Sequence, residues 1–118
     1  MAEVFYTDEF GEWYGILDET DQGAVDDKVD LLAVAGVSLG RPHSGTIRES
    51  SFAMRELVVQ SKGRPLRIFY CFDPRRDAVL IIGGDKTGDD RFYERMIPLA
   101  DKIWAEYLRE QGVEKKEG

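Results

Sequence analysis

Apolar positions along the chain switch between a period of two and a helical period, and the switches mark out the elements. Glu3-Val4-Phe5-Tyr6-Thr7 reads as a short strand that ends at Asp8. Phe10, Trp13, Tyr14 and Leu17 then recur at helical spacing, although Gly11 and Gly15 weaken that helix. Thr20 or Asp21 is placed to cap a second helix, on which Val25, Val29 and Leu32 share one face and which Gly36 would end. The two helices make a helical hairpin. Residues 37–51, punctuated by Gly40, Pro42, Gly45 and the Ser50-Ser51 pair, read as loop.

Three strand-like segments follow in quick succession, at 54–60, 66–72 and 78–82. The connections Ser61–Pro65 and Asp73–Asp77 are short and rich in turn formers, which predicts antiparallel neighbours. Val79-Leu80-Ile81-Ile82 is continuously apolar and is expected at the centre of the sheet. A last helix from about Asp89 to Glu110 carries Phe92, Met96, Leu99, Ile103 and Tyr107 at core spacing. Pro98 should kink or split it, and residues 111–118 read as a frayed tail. The predicted class is α+β: a β-α-α-β-β-β antiparallel sheet with an N-terminal helical hairpin and a C-terminal helix. With 118 residues and no repeat or linker, the chain reads as one domain, 1–118.

Composition narrows the function classes. No apolar run approaches the roughly 18–20 residues that span a bilayer, and the N-terminus lacks a basic stretch followed by an apolar one, so no membrane and no secretion signal are expected. One cysteine, Cys71, excludes an internal disulfide and cysteine-based zinc spacings, and the expected setting is the cytoplasm. Net charge is −7, but it is partitioned. Residues 1–40 hold ten acidic side chains against Lys28 alone, whereas residues 41–76 hold eight Lys/Arg against Glu49, Glu56 and Asp73. A basic block on an acidic chain points to a local anion site rather than general polyanion binding.

Strand alternation sorts the basic side chains. Arg55 shares a face with Leu57 and Val59, and Arg67 shares one with Phe69 and Cys71. Each arginine breaks an apolar pattern, so each needs a carboxylate partner such as Glu56 or Asp73, or lines a basic groove that holds phosphates. Gly83-Gly84-Asp85-Lys86-Thr87-Gly88 leads into the last helix, but the spacing fails the phosphate-binding P-loop, because Asp85 stands where its second glycine would be. Asp85, Asp89 and Asp90 read as turn and helix-start residues before metal ligands. His43 is the only histidine, and no serine has a nucleophile-elbow context, which argues against histidine-pair nucleases, zinc enzymes and serine hydrolases. Lys86, Arg91 and Tyr93 stand close enough in sequence to face one site.

The series Met54-Arg55-Glu56-Leu57, Arg64-Pro65-Leu66-Arg67-Ile68-Phe69-Tyr70, Asp73-Pro74-Arg75-Arg76 and Gly83–Gly88 resembles the RelE/ParE toxin superfamily, most closely its HigB-like, phage Gp49-like branch. The similarity runs over about residues 3–108. It implies a type II toxin that cleaves messenger RNA, usually at the ribosome, by attack of a ribose 2′-OH on the adjacent phosphate. Neither metal nor cofactor is implied. The partners it implies are messenger RNA, the ribosome and a cognate antitoxin of helix-turn-helix type encoded by the adjacent gene. Carried onto this chain, Arg55 and Arg67 would hold the phosphate, Lys86 would supply charge or act as base, and Tyr93 would stack on a base. Lys62, Arg64 and Arg91 would contact RNA. A ParE-like inhibitor of DNA gyrase and an inactive antitoxin-binding relic are the alternatives the same resemblance allows.

Overall fold

A computed structural model describes residues 2–112, so the expected tail lies outside them from residue 113 onward. The elements are β1 (Val4–Tyr6), α1 (Asp8–Gly15), α2 (Glu19–Ala35), β2 (Ser44–Ile47), β3 (Met54–Ser61), β4 (Arg64–Phe72), β5 (Ala78–Asp85) and α3 (Phe92–Glu110). They form an α+β fold around a five-stranded sheet of order β1-β5-β4-β3-β2. The meander β3-β4-β5 is antiparallel, as its short connections require. β1 adds to β5 in parallel, which makes the sheet mixed rather than wholly antiparallel. Among the described residues no helix is long and apolar enough to cross a membrane.

The sheet separates two cores. On one face α1 and α2 close over Leu57, Ile68, Tyr70 and Leu80 with Phe10, Val25 and Leu32. On the other face α3 lays Phe92, Ile97, Ile103 and Trp104 against Phe69, Val79 and Ile81. Burial of both faces explains the continuous apolar run of β5, which has a strand on either side although β4 occupies the centre. The Gly83-Gly84 pair serves this packing. A side chain on Gly83 would collide with the Trp13 ring, and one on Gly84 would meet Phe92.

Thr7 ties the first strand to the first helix. Its hydroxyl accepts from Phe10 N at 3.0 Å, capping α1, and donates to Ile81 O at 2.6 Å. Asp18, rather than Thr20 or Asp21, caps α2 by accepting from Asp21 N at 2.9 Å. Gly36 ends that helix at φ 58°, as its freedom from a Cβ allows.

Three local expectations are corrected. The loop 37–51 contains β2, which pairs with β3 at the sheet edge; its Ser-Gly-Thr-Ile sequence has too few apolar positions to announce a strand. Pro98 does not split α3, which runs unbroken from Phe92 to Glu110. Pro98 and Glu94, whose carbonyl would have taken the missing N–H bond, are both exposed, so the freed carbonyl is open to solvent. The β3–β4 connection is a two-residue turn at Lys62-Gly63, with φ of 55° and 77°, not a five-residue one.

Candidate functional site

The tight turn fixes the register of β3 against β4, and the register decides which arginine faces which core. Leu57 stands opposite Ile68, and Arg55 opposite Tyr70, so Arg55 points to the side of α1 and α2. Arg67 stands opposite Val58 and points with Phe69 to the side of α3. The two arginines lie on opposite faces of the sheet. The structure does not bring them to one phosphate.

What it does bring together on the α3 side is Arg67, Glu56, Tyr93 and Lys86. Tyr93 Oη donates to Glu56 Oε1 at 2.8 Å. Arg67 Nε lies 3.7 Å from the same oxygen, and Arg67 Nη1 donates to Leu66 O at 3.0 Å. The Arg67 side chain is only 14% exposed, and its buried Nε has no hydrogen-bond partner among the described residues. Lys86 Nζ sits 4.9 Å from the centroid of the Tyr93 ring, a cation–π distance. That ring stands edge-on to Phe92 and Phe69, at centroid separations of 5.2 and 6.2 Å, so its orientation is fixed. Burial, then the Glu56 carboxylate, push the Tyr93 phenol above its usual range, with Arg67 opposing them. The phenol therefore stays protonated near neutral pH. The stacking expected of Tyr93 competes with Lys86 for one face of the ring.

The backbone explains the placement. Lys86 N donates to Pro65 O at 3.0 Å, pinning the exit of β5 to the start of β4. Arg64 Nη1 donates to Asp85 Oδ2 at 2.8 Å and Nη2 to Asp21 Oδ2 at 2.5 Å. Lys62 pairs with Asp18. Lys62 and Arg64 thus clamp the hairpin tip to α2 and steady the residue before Lys86. Hydrogen bonds from Ser61 and Arg64 hold the Asp21 carboxyl below the ordinary range, and a hydrogen bond from Lys62 lowers that of Asp18. Arg91 is exposed at the start of α3 and, among the described residues, pairs with Glu94 alone, at 3.9 Å. Asp85 accepts from Thr87, and Asp89 from Arg91 N and Arg95.

Arg55 has other work. Its Nη1 donates to the carbonyls of Val37 and Leu39 at 3.0 and 3.2 Å, and its guanidinium lies 5.5 Å from the centroid of Phe72. Glu56 was legible from sequence only as a partner for an arginine, because its place in the site depends on register.

A groove of about 600 Å³ opens beside Glu56 and Tyr93, bounded by Thr46, Ile47, Glu49 and Glu94. Of the four, Glu56 and Tyr93 line that groove, while Arg67 and Lys86 contact these two without lining it. Two cations, a carboxylate and a phenol are groups that can neutralise a phosphate and exchange protons with it.

Comparison with known proteins agrees with this architecture. Residues 12–105 match the family of phage-derived Gp49-like proteins (DUF891). HigB3 of Mycobacterium tuberculosis, named as a toxin, is 39% identical over 92 residues, covering 76% of this chain and 79% of that protein. HigB2 of the same organism, also named as a toxin, is 35% identical over 99 residues, covering 81% of this chain and 49% of that protein. A free-state mutant of the Escherichia coli toxin RelE superposes with a TM-score of 0.58 at 12% identity, over 81% of this chain and 96% of that one, and shares the fold. The chain belongs to the phage-derived Gp49-like (DUF891) family and is a relative of HigB toxins.

Proposed function

We propose that this HigB-like chain is the toxin of a toxin–antitoxin pair and acts as a metal-independent endoribonuclease on messenger RNA. The observation that carries the reading is Arg67, a nearly buried guanidinium whose Nε lacks a hydrogen-bond acceptor beside a pinned lysine and tyrosine. A donor left unsatisfied inside a fold is costly, and an anion seated there would repay it.

In this reading the ribose 2′-OH attacks phosphorus and gives its proton to Glu56, which Tyr93 and Arg67 hold in place. The new O2′–P bond forms as the P–O5′ bond breaks, leaving a 2′,3′-cyclic phosphate. Arg67 and Lys86 neutralise the charge that builds on the phosphoryl oxygens, and the Lys86 ammonium returns a proton to the departing O5′. Arg91 at the rim of α3 and the hairpin tip at Lys62 and Arg64 lie further out, where contact with the RNA backbone is the remaining role. The neutralising partner is an antitoxin.

One observation favours a non-catalytic second reading. Glu49, Glu56 and Glu94 all border the groove, and their charge repels an RNA backbone. Primer extension on a reporter message after induction separates the two. Cleavage that Arg67→Ala and Glu56→Gln each lower by about 10²–10³ is expected, from the loss of one group that stabilises or activates in the transition state. Growth arrest with intact message and DNA-damage signalling would replace the ribonuclease with a gyrase inhibitor.

A further inference from the structure

The basic residues outside the site are unevenly paired. Lys62, Arg64, Arg91 and Arg95 all have carboxylate partners. Arg41 and Arg48, which flank the edge strand β2, have none among the described residues, and both are exposed. With Arg55 they line one cleft of about 310 Å³ at the outer rim of β2. Three guanidinium groups in one cleft stand out on a chain of net charge −7. Arg55 forms its floor, tethered by the carbonyls of Val37 and Leu39, while Arg41 and Arg48 remain available. β2 is the last strand of the sheet, so its outer backbone groups lack a strand partner and add donors to the same rim.

The cleft adjoins the candidate site. Thr46 borders both the cleft and the groove that holds Glu56 and Tyr93. Gly45 stands opposite Glu56 in the register. A Cβ placed on Gly45 would lie 3.8 Å from Arg41 Nη2 and 3.8 Å from Glu56 Oε2. The bare glycine backbone is thus a low saddle between a carboxylate on one side and a guanidinium on the other.

We propose that this arginine cleft is a second phosphate subsite, which takes the substrate strand after it has crossed the sheet edge at Gly45 and Thr46. The ligand class is a single-stranded phosphodiester chain several nucleotides long. Arg41 and Arg48 bind its phosphates, and the cleft offsets the repulsion from the groove carboxylates. The inference rests on the ribonuclease reading for the identity of the strand, but its binding step needs no cleavage.

The test uses fluorescence anisotropy with the full chain and a labelled 2′-O-methyl RNA oligonucleotide, which has no nucleophile and stays intact. A long oligonucleotide spans both grooves, and a trinucleotide reaches only the Glu56 side. The double variant Arg41→Ala with Arg48→Ala is expected to bind the long probe about tenfold more weakly, and the slope of log affinity against log salt should flatten by about 1 to 1.5. Trinucleotide binding should not change. Lys102→Ala with Arg109→Ala removes the same charge from the exposed face of α3 and should leave both probes unaffected. Equal losses in the two double variants, or equal losses for long and short probes, would reduce the effect to net charge and overturn the subsite. An unchanged affinity for the long probe would overturn it as well, even if ribosome binding alone were altered. Length-dependent binding through Arg41 and Arg48 by a chain that never cuts RNA would keep the subsite and discard the nuclease.

Discussion

Arg67→Met separates a residue kept for chemistry from one kept for the fold. Methionine preserves the length and much of the apolar stem of the side chain while removing the guanidinium. Among the described residues that group donates one hydrogen bond, to Leu66 O, and makes a loose 3.7 Å approach to Glu56, while its buried Nε has no acceptor. A bond from a charged donor contributes about 1.5–3 kcal/mol, and a buried donor left unmade costs about 1–3 kcal/mol. The approach to Glu56 is longer than a hydrogen bond, and the desolvation of two nearly buried ions offsets most of its attraction, so it adds at most about 1 kcal/mol. These contributions nearly cancel. Urea unfolding of Arg67→Met should therefore give a stability within about 1 kcal/mol of the parent, with an unchanged m-value. RNA cleavage should fall by about 10²–10³, the usual consequence of losing one charge-stabilising donor. A loss of more than about 3 kcal/mol would mean that the guanidinium is a structural tie and that its unmade bond has been misread. Retained cleavage would remove Arg67 from the site altogether.

Arg55→Ala should show the opposite split: a loss of about 2–4 kcal/mol in urea, from two carbonyl contacts and the Phe72 contact, with turnover of a trinucleotide substrate unchanged. The carboxyls of Asp18, Asp21, Asp85 and Asp89 are all lower in the folded chain than ordinary aspartates. Their contribution is therefore complete above the unfolded aspartate range near pH 4 and is lost as pH falls through the lower folded values. An acid titration followed by circular dichroism should show this loss, and Asp21→Asn should flatten it; an equally steep acid transition in that variant would exclude the Asp21 clamp. Burial pushes the Cys71 thiol up to about 12, so a thiol reagent at pH 8 should label it only at the rate of unfolding. Rapid labelling of the native chain would contradict its enclosure between β4 and α3.

The elements were legible where the hydrophobic period was strong. The meander, the helical hairpin and the last helix all follow from it, because their apolar faces are buried on both sides of one sheet. β2 was not, since an edge strand that buries only Ser44 and Ile47 leaves almost no pattern to read. Alternation alone sorts the side chains of β3 and of β4 onto two faces, yet it does not say that Arg55 and Arg67 diverge. That required the pairing register. A signal for it stood in the sequence: a lysine–glycine pair flanked by strand residues can form a two-residue turn with both φ angles positive, and such a turn sets Arg55 opposite Tyr70. Reading the whole of Ser61–Pro65 as turn concealed it. The ion pairs of Arg64 and Lys62 are not visible in the sequence, because their partners, Asp18, Asp21 and Asp85, lie far away along it. No sequence spacing encodes that clamp.

The parallel seam between β1 and β5 also bears on how the chain reaches this structure. The β3–β4 hairpin and its continuation into β5 involve contacts between near neighbours, and can form early from a local nucleus. β1 must wait, because its partners Ala78 to Leu80 are made much later in the chain and the loop to be closed contains nearly every other element. Thr7, which bonds across 74 positions to Ile81, marks the last latch to engage. Weakening that latch with Thr7→Val should speed unfolding and leave the refolding arm of a chevron almost unmoved, the signature of an interaction absent from the transition state. During synthesis the same topology holds the chain incomplete until β5 has emerged, so the face that gathers Arg67, Lys86 and Tyr93 assembles only when most of the protein has been made.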